Sequence, residues 1–198
     1  MKKTLLKKAG DTDAPSDEDL MARTAAGDRA AFTILAERYT VMLYSAAWRL
    51  CADRPMAEDA VQESLVRLWT KAATWDGEKG ASVRTWLYRI ACNLCLDMLR
   101  RKKWRAIELK DDVAHAPGSV EKDMQTRQMG RIVARAVREL PERQRLALVL
   151  CHYQEMSNAE AALIMGVSDK GIESLLVRAR KSLRRKLEKH QGSIETWT

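Results

Sequence analysis

The segment Asn158–Arg180, NAEAALIMGVSDKGIESLLVRAR, has the pattern of two helices joined by a tight turn. Ser157 is placed to cap a first helix over Asn158–Met165, because a serine oxygen can accept an unpaired N–H of the first turn. The inner face of that helix would be formed by Ala161, Ala162 and Ile164. Gly166 can take the left-handed conformation that ends a helix, and Val167 would fill the turn. The pattern predicts a helix-turn-helix.

The second helix of this segment can be capped by Ser168. Its apolar positions recur at three- and four-residue spacing, at Ile172, Leu176, Ala179 and Leu183. A second helix held in this way, with exposed Lys and Arg residues, suits insertion into the major groove of DNA. A helical hairpin in an ordinary bundle has the same pattern, so the rest of the chain has to decide between the two.

Composition limits the class of protein. The 198 residues carry a formal net charge of +8, with 46% hydrophobic and 31% charged residues. This is the composition of a folded globular protein, and the positive charge favours nucleic acid or an acidic membrane as partner. The basic start MKKTLLKKAG lacks the apolar run of a signal peptide, and no stretch is long enough to span a membrane. We therefore expect a cytoplasmic protein with no membrane contact by itself, whose four cysteines are reduced.

Helical spacing of apolar residues predicts an all-α fold of two small domains. We expect helices over Asp17–Ala26, Ala30–Leu50 and Met56–Ala73, and a long fourth helix over 83–104. The stretch 105–123 has the Asp, Pro, Gly and Ser residues of a linker, and about twenty extended residues span ~65 Å. The predicted organisation is a mobile arm at 1–16, a first domain at 17–104, a linker at 105–123, a second domain at 124–188 and a tail at 189–198.

The third predicted helix has an acidic outer side in an otherwise basic protein, at Glu58, Asp59, Gln62 and Glu63. Its inward stripe follows helical spacing at Ala57, Ala60, Val61, Leu65, Leu68 and Trp69. A solvated acidic face is the ordinary interpretation of such a cluster. The functional interpretation is a docking face for a basic protein partner.

The fourth predicted helix has two distinct faces. The residues expected to pack inward are Trp86, Leu87, Ile90, Ala91, Leu94, Met98 and Leu99, and the polar side carries Arg89, Asn93, Asp97, Arg100 and Arg101. One interpretation of the polar side is a salt-bridged surface in which Arg89, Asp97 and Arg101 pair along the helix. The other is a DNA-binding surface, on which the Asn93 amide reads a base and the arginines hold phosphates. Stacking surfaces for unpaired bases would come from Trp75, Trp86 and Trp104.

Three stretches together resemble the extracytoplasmic-function (ECF) group of bacterial RNA polymerase sigma factors, over residues 17–188. They are AEDAVQESLVRLW, TWLYRIACNLCLDMLRRKK and LPERQRLALVLCHYQEMSNAEAALIMGVSDKGIESLLVRARKSLR. The resemblance implies a sigma region 2 helical bundle and a sigma region 4 helix-turn-helix joined by a flexible linker, with the middle sigma domains absent. It also implies a transcription initiation factor that binds core RNA polymerase and directs it to specific promoters.

In that role the minus-ten element is read as melted DNA and the minus-thirty-five element as duplex. The implied partners are the β′ clamp helices and β flap of core polymerase, promoter DNA, and an anti-sigma factor that controls a response to stress. We expect no enzymatic activity, because the nucleotide chemistry belongs to the polymerase, and we expect no cofactor and no metal.

The residues and the resemblance together indicate three groups of site residues. Core polymerase would bind Glu58, Asp59, Gln62 and Glu63. Melted minus-ten DNA would contact Trp75, Arg89, Asn93, Asp97, Arg100 and Arg101. The minus-thirty-five duplex would contact Ser168, Lys170, Glu173, Ser174, Arg178 and Lys181. Leu175 and Val177 stand where the family has arginine and histidine, and Leu175 would either touch a thymine methyl group or cover the core.

Two other functions fit parts of the sequence. An ordinary repressor or activator would use the helix-turn-helix but would need neither the acidic helix nor the Asn93 face. A metal or redox sensor would use Cys92 and Cys95, or Cys151 beside His152. That cysteine pair lies within a predicted helix and has no second pair at zinc-finger spacing, so structural thiols are the preferred interpretation.

Overall fold

The computed structural model describes residues 15–77, 81–109 and 124–191, and within these ranges it contains helices and connecting turns only. The first unit consists of α1 (Asp17–Ala25), α2 (Arg29–Cys51), α3 (Arg54–Lys71) with a 3₁₀ turn at Ala72–Thr74, and α4 (Val83–Leu109). The second consists of α5 (Met124–Arg138), α6 (Glu142–Leu148) with a π turn at Val149–Tyr153, α7 (Asn158–Met165) and α8 (Asp169–Gln191). The predicted all-α class is confirmed. Most of the predicted arm and tail, and the predicted linker from residue 110, lie outside the described residues.

The turn between α1 and α2 is fixed by its glycine and by the cap of α2. Gly27 has φ of 88°, a left-handed conformation that costs glycine little. Asp28 then accepts hydrogen bonds from the backbone N–H groups of Ala30 at 2.9 Å and Ala31 at 3.2 Å. The hydrogen bond from Arg23 and these cap bonds lower the pKa of Asp28. The predicted cap of α2 is therefore confirmed.

The central helix of the first unit is α2, and α1, α3 and α4 pack around it. Its buried face follows the three- and four-residue spacing that predicted it, at Leu35, Tyr39, Leu43, Ala47 and Leu50. Phe32 is only half-buried, because it lies at the end of α2 where a groove opens toward α3.

The buried side of α4 differs from the predicted one. Of the predicted inward residues only Leu87 and Ala91 are buried, whereas Trp86, Ile90, Leu94, Met98 and Leu99 are half-buried. The core-facing line is Val83, Leu87, Tyr88, Ala91, Cys92 and Cys95. This line also has helical spacing, and its small alanine and cysteine side chains allow close packing. The helix continues past Trp104 to Leu109, so the start of the predicted linker is helical.

The predicted helix-turn-helix is confirmed in the second unit. Ser157 and Glu160 form a reciprocal capping box at the start of α7, with hydrogen bonds of 3.2 Å and 2.8 Å between backbone N–H and side chain. Gly166 ends α7 with φ of 61°, as its left-handed role requires. The inner face of α8 is formed by Ile172, Leu176 and Ala179, all buried.

The two units pack against each other. Buried apolar residues of both form one continuous cluster, in which α4 contacts α7 and α2 contacts the π turn. A smaller cluster holds α5, α6 and α8 together through Val137, Leu140, Leu148 and Ala179. The sequence predicted two helical domains but not this contact between them. Among the described helices, none is long and apolar enough to cross a membrane.

Candidate polymerase-binding and DNA-binding surfaces

The acidic surface, defined as Glu58, Asp59, Gln62 and Glu63 of α3, lies on the outside of the first unit. Glu58 accepts a hydrogen bond from Arg54 at 2.7 Å, and Glu63 accepts one from Arg67 at 2.9 Å. Exposed pairs four residues apart contribute only ~0.3–0.5 kcal/mol, so a partner with a stronger basic surface can displace them. Asp59 is exposed and has no ion-pair partner among the described residues.

An apolar groove continues the acidic surface toward the end of α3. The groove is open to solvent, has a volume of about 510 Å³ and is lined by Arg29, Phe32, Thr33, Leu65, Val66 and Trp69. Val66 is 54% exposed and Trp69 is 37% exposed. The ring of Trp69 meets Phe32 edge-on, with 5.4 Å between centroids. The predicted inward position of Trp69 is therefore wrong: smaller residues fill the core side of α3, and the indole remains at the groove's rim.

The polar surface of α4 carries one exposed amide side chain. Asn93 is exposed, and its side chain makes no hydrogen bond to any described residue. One turn further on, Asp97 pairs with Arg100 at 3.6 Å, and Arg101 is exposed beside them. The predicted alternative, a chain of pairs from Arg89 through Asp97 to Arg101, is wrong, because Asp97 pairs with Arg100 instead. An amide next to exposed arginines has the chemistry to read a base and hold a phosphate.

Two predicted minus-ten residues already have partners within the protein. Arg89 donates a hydrogen bond to the backbone carbonyl of Leu163 in α7. The indole N–H of half-buried Trp75 donates to the carbonyl of Ala81 at 3.1 Å, which closes the loop before α4. Arg89 is exposed, and the bond to Leu163 uses one of the five N–H donors of its guanidinium. The side chain of Trp104 lies outside the described residues.

A basic surface lies on α8. The exposed residues Lys170, Glu173, Arg178 and Lys181 and half-buried Ser174 make no ion pair or hydrogen bond with described side chains. Positive charges without partners on one helix suit contacts with DNA phosphates. Ser168 has a structural task as well, because its Oγ accepts the N–H of Gly171 at 3.2 Å and caps the helix.

Leu175 is half-buried and packs against the core, as one of its two predicted alternatives requires. Val177, two residues further along α8, is 60% exposed.

A buried hydrogen bond joins the two units close to the polar surface of α4. Tyr88 donates its hydroxyl to Oε1 of Gln154 at 2.6 Å, and Arg84 donates to the backbone carbonyl of Gln154 at 2.5 Å. Burial raises the pKa of Tyr88 to about 12, so the phenol keeps its proton near neutral pH. The guanidinium of Arg49 stacks over the ring of Tyr153 at 4.5 Å. Sequence reasoning missed these five residues, because a polar contact between distant segments leaves no periodic pattern.

The same contact leaves buried polar atoms unpaired. Nε of Arg84 and Nε2 of Gln154 have no hydrogen-bond partner within the described structure. A buried donor without a partner costs ~1–3 kcal/mol. The polar part of the contact is therefore weaker than its two short hydrogen bonds suggest.

The cysteines of the first unit behave as core residues. Cys51, Cys92 and Cys95 are buried between α2 and α4. Burial raises the pKa of Cys92 to about 12, and a hydrogen bond with Cys51 raises the pKa of Cys95. These positions agree with the structural-thiol interpretation. In the described part of the chain, no three His, Cys, Asp or Glu side chains are grouped to hold a metal ion.

Both units match family models. The model for sigma-70 region 2 matches residues 35–105, which contain the acidic surface and Asn93. The model for sigma-70 region 4 matches residues 130–183, which contain the helix-turn-helix.

Relatives match along most of the chain. The ECF RNA polymerase sigma factor SigM of Mycobacterium tuberculosis (strain ATCC 25618 / H37Rv) is 34% identical over 175 residues, covering 87% of this chain and 85% of SigM. The ECF RNA polymerase sigma factor SigE of Mycolicibacterium smegmatis is 31% identical over 187 residues, covering 90% of this chain and 72% of SigE.

Solved structures have the same fold. CnrH, in complex with the cytosolic domain of CnrY, is 28% identical with a TM-score of 0.67, over 87% of this chain and 97% of CnrH. RpoE of Bartonella quintana, in complex with the anti-sigma factor NepR, is 24% identical with a TM-score of 0.64, over 79% of this chain and 96% of RpoE. With both sigma regions matched and relatives aligned along most of its length, the chain belongs to the ECF family of RNA polymerase sigma factors, the transcription initiation factors that direct polymerase to promoters.

Proposed function

We propose that three exposed surfaces of this sigma factor divide promoter recognition between them. The observation that carries the proposal is their opposite charge. The outer side of α3 is acidic, although the whole chain has a net charge of +8, whereas the ends of α4 and α8 are basic. DNA phosphates repel an acidic surface and attract basic ones, so α3 is assigned to a protein partner and the other two helices to DNA.

The acidic surface and the groove beside it would bind core polymerase. On α3, Gln62 lies four residues before Val66 and seven before Trp69, which places all three on one side of the helix. A basic helical partner, such as the β′ clamp helices that the family resemblance implies, could pair with Asp59 and Glu63. An apolar side chain of that partner would enter the groove, where exposed Val66 and Trp69 can be covered. The second unit would contact the β flap.

The polar surface of α4 would read the melted minus-ten element. Extracting a base from the stack costs a few kcal/mol, and an aromatic platform returns ~1–3 kcal/mol per stacked base. Half-buried Trp75 and Trp86 lie before the exposed Asn93 amide on the same part of the chain. Asn93 would supply base discrimination, and Arg100 and Arg101 would hold the backbone.

The basic surface of α8 would read the minus-thirty-five element as duplex. The capping box on α7 and the Gly166 turn hold α8 at a fixed angle to α7. Exposed Lys170, Arg178 and Lys181 then project from the side opposite the buried Ile172 and Leu176. This is the arrangement in which a recognition helix enters the major groove.

Promoter binding would require the two units to separate. Seventeen or so base pairs between the two elements span ~58 Å, whereas α4 and α7 are in contact here. Binding of either unit to the polymerase would raise the effective concentration of the other at its own element. The two elements would then act together, and the contact at Gln154 would have to break first.

Control of this protein would come from an anti-sigma factor. The family resemblance implies such a partner, and CnrH, similar in sequence and fold, was solved in complex with the cytosolic domain of CnrY. The sigma factor itself would supply no catalytic group, because phosphodiester formation belongs to the polymerase. Since polymerase and promoters are in the bacterial cytoplasm, we infer that the protein works there.

Run-off transcription tests the proposal. Core polymerase and the purified protein are incubated with fragmented genomic DNA, and the transcript start sites are mapped. We expect start sites that share two upstream elements and disappear when the protein is omitted. The absence of a promoter-specific transcript on every template would refute the proposal. Tight binding to a duplex operator without polymerase would indicate a repressor instead.

A further inference from the structure

One side chain on the outer face of α8 does not match the chemistry of its neighbours. Lys170, Ser174, Val177 and Lys181 follow each other at steps of four, three and four residues, so they lie on one side of the helix. The opposite side carries buried Ile172, Leu176 and Ala179. Val177 is thus an apolar side chain, 60% exposed, in the middle of the side that carries the lysines.

Single exposed apolar residues are common on protein surfaces, so exposure alone would say little about Val177. Its position is informative, because the surrounding residues are those assigned to DNA. The side chain has no donor or acceptor and cannot hold a phosphate. The one apolar group that a base pair presents in the major groove is the C5 methyl group of thymine.

We propose that Val177 contacts the C5 methyl group of a thymine in the minus-thirty-five element, and that it determines specificity at that base pair. The inference rests on the proposed reading of duplex DNA by α8. A valine side chain has few rotamers to lose on binding, so contact with a methyl group is made at small entropic cost. Lys170, about two turns before Val177, and Lys181, about one turn after it, would hold the phosphates on either side of the contact.

Uracil substitution tests the contact, because uracil lacks only the C5 methyl group and keeps the hydrogen-bonding edge of thymine. Promoters found by run-off mapping are made with each minus-thirty-five thymine, on either strand, replaced in turn by uracil. Binding of the holoenzyme is then measured for wild type and Val177→Ala. We expect one position at which uracil weakens wild-type binding roughly fourfold, the value of one buried methyl-sized group.

At that position the Val177→Ala holoenzyme should bind the thymine promoter as weakly as wild type binds the uracil promoter, with no further loss on uracil substitution. Val41→Ala is the matched control, since Val41 is 75% exposed on α2. It should retain the full uracil penalty.

Equal uracil penalties in wild type and Val177→Ala would overturn the inference, as would a minus-thirty-five element built of G·C pairs alone. These outcomes require a working promoter. Failure of the proposed function would appear earlier, as the absence of any specific transcript.

Discussion

The hydroxyl of Tyr88 donates a 2.6 Å hydrogen bond to the side-chain carbonyl of Gln154, and this bond ties α4 of the first unit to the segment that leads into the helix-turn-helix. Both partners are buried, and Tyr88 is fully enclosed. Water cannot replace the bond while the units stay in contact. Separation of the units would give up this bond, the bonds from Arg84 and Arg89 and the shared apolar packing. It would hydrate two polar atoms that are now unpaired.

Tyr88→Phe should shift the protein toward separated units. The substitution keeps the ring and removes the donor, which leaves Oε1 of Gln154 unpaired at a cost of ~1 kcal/mol, or about fivefold in the equilibrium. Energy transfer between dyes on α2 and α8 measures the change, and apparent affinity for core polymerase should rise by up to the same factor. Tyr44→Phe is the control, because half-buried Tyr44 makes no hydrogen bond to described residues. Identical energy transfer in both variants would contradict the prediction.

Asp59→Lys and Glu63→Lys should each weaken binding to core polymerase, by ~tenfold, because a charge reversal places like charges across the interface. Asp59 should be the more sensitive position, since it has no ion pair to break before it binds a partner. Titration of labelled protein with core polymerase measures both affinities. Glu18→Lys on α1, an exposed residue outside the acidic surface, is the matched control. Wild-type affinity in the two α3 variants would count against the docking assignment.

Asn93→Ala should reduce promoter opening while leaving polymerase affinity unchanged. In the wild type, the Asn93 amide would form hydrogen bonds with a base that has already left the stack. A well-placed pair of such hydrogen bonds contributes ~1–3 kcal/mol of discrimination. The defect should therefore persist on a template whose minus-ten region is melted in advance by mismatches. Full rescue by the mismatched template would show instead that Asn93 assists strand separation without reading a base.

Arg178→Ala should reduce affinity for the minus-thirty-five duplex and spare the affinity for core polymerase. If Arg178 holds a phosphate, the slope of log affinity against log salt should fall by about one, with equal losses on all sequences. If it reads a base, discrimination should fall by ~1–3 kcal/mol at one position. Arg143→Ala on α6, also exposed, is the matched control. An unchanged salt slope combined with unchanged discrimination would remove Arg178 from the DNA surface.

Glu160→Ala should destabilise the second unit in a pH-dependent way. The hydrogen bonds from the backbone and hydroxyl of Ser157 lower the folded-state pKa of Glu160 below its ordinary value of 4.5. A depressed carboxyl pKa stabilises the fold above the unfolded pKa, and that stabilisation is lost as the pH falls through the folded value. The difference in unfolding free energy between wild type and Glu160→Ala, measured by denaturant titration, should thus shrink below pH 4.5.

The matched control for the capping box is Glu173→Ala, which removes an exposed carboxylate without hydrogen bonds to described residues. It should change stability little at either pH. A pH-independent loss in Glu160→Ala would mean that the side chain acts by packing rather than through its charge.

The helix-turn-helix could be predicted closely, because each of its features is local. Ser157, Gly166 and Ser168 lie within a few residues of the backbone groups that they satisfy or terminate. The acidic surface of α3 was equally visible, since charge and spacing are properties of the sequence. Local chemistry of this kind does not depend on which elements come together later.

Sequence periodicity could not predict which face of α4 is buried, and it could not predict the contact between the units. Two overlapping sets of residues on α4 have helical spacing, and the choice between them depends on how closely α2 can approach. Cys92 and Cys95 are buried because they are small, which is a property of the packing rather than of the period. Gln154 gives no hydrophobic signal, and its partner Tyr88 is distant in sequence.

The length of α4 limits the distance between the minus-ten and minus-thirty-five elements that this protein can bridge. Because the helix continues to Leu109, only residues 110–123 connect it to α5. At ~3.3 Å per residue, fourteen extended residues span ~46 Å. A linker of about twenty residues that starts at residue 105 would span ~65 Å. Each base pair added between the two elements lengthens the distance between them by ~3.4 Å. Insertions between the two elements should therefore be tolerated less well than deletions of the same size. An insertion and a deletion of equal size rotate one element around the DNA axis by equal angles, so the comparison isolates the effect of distance.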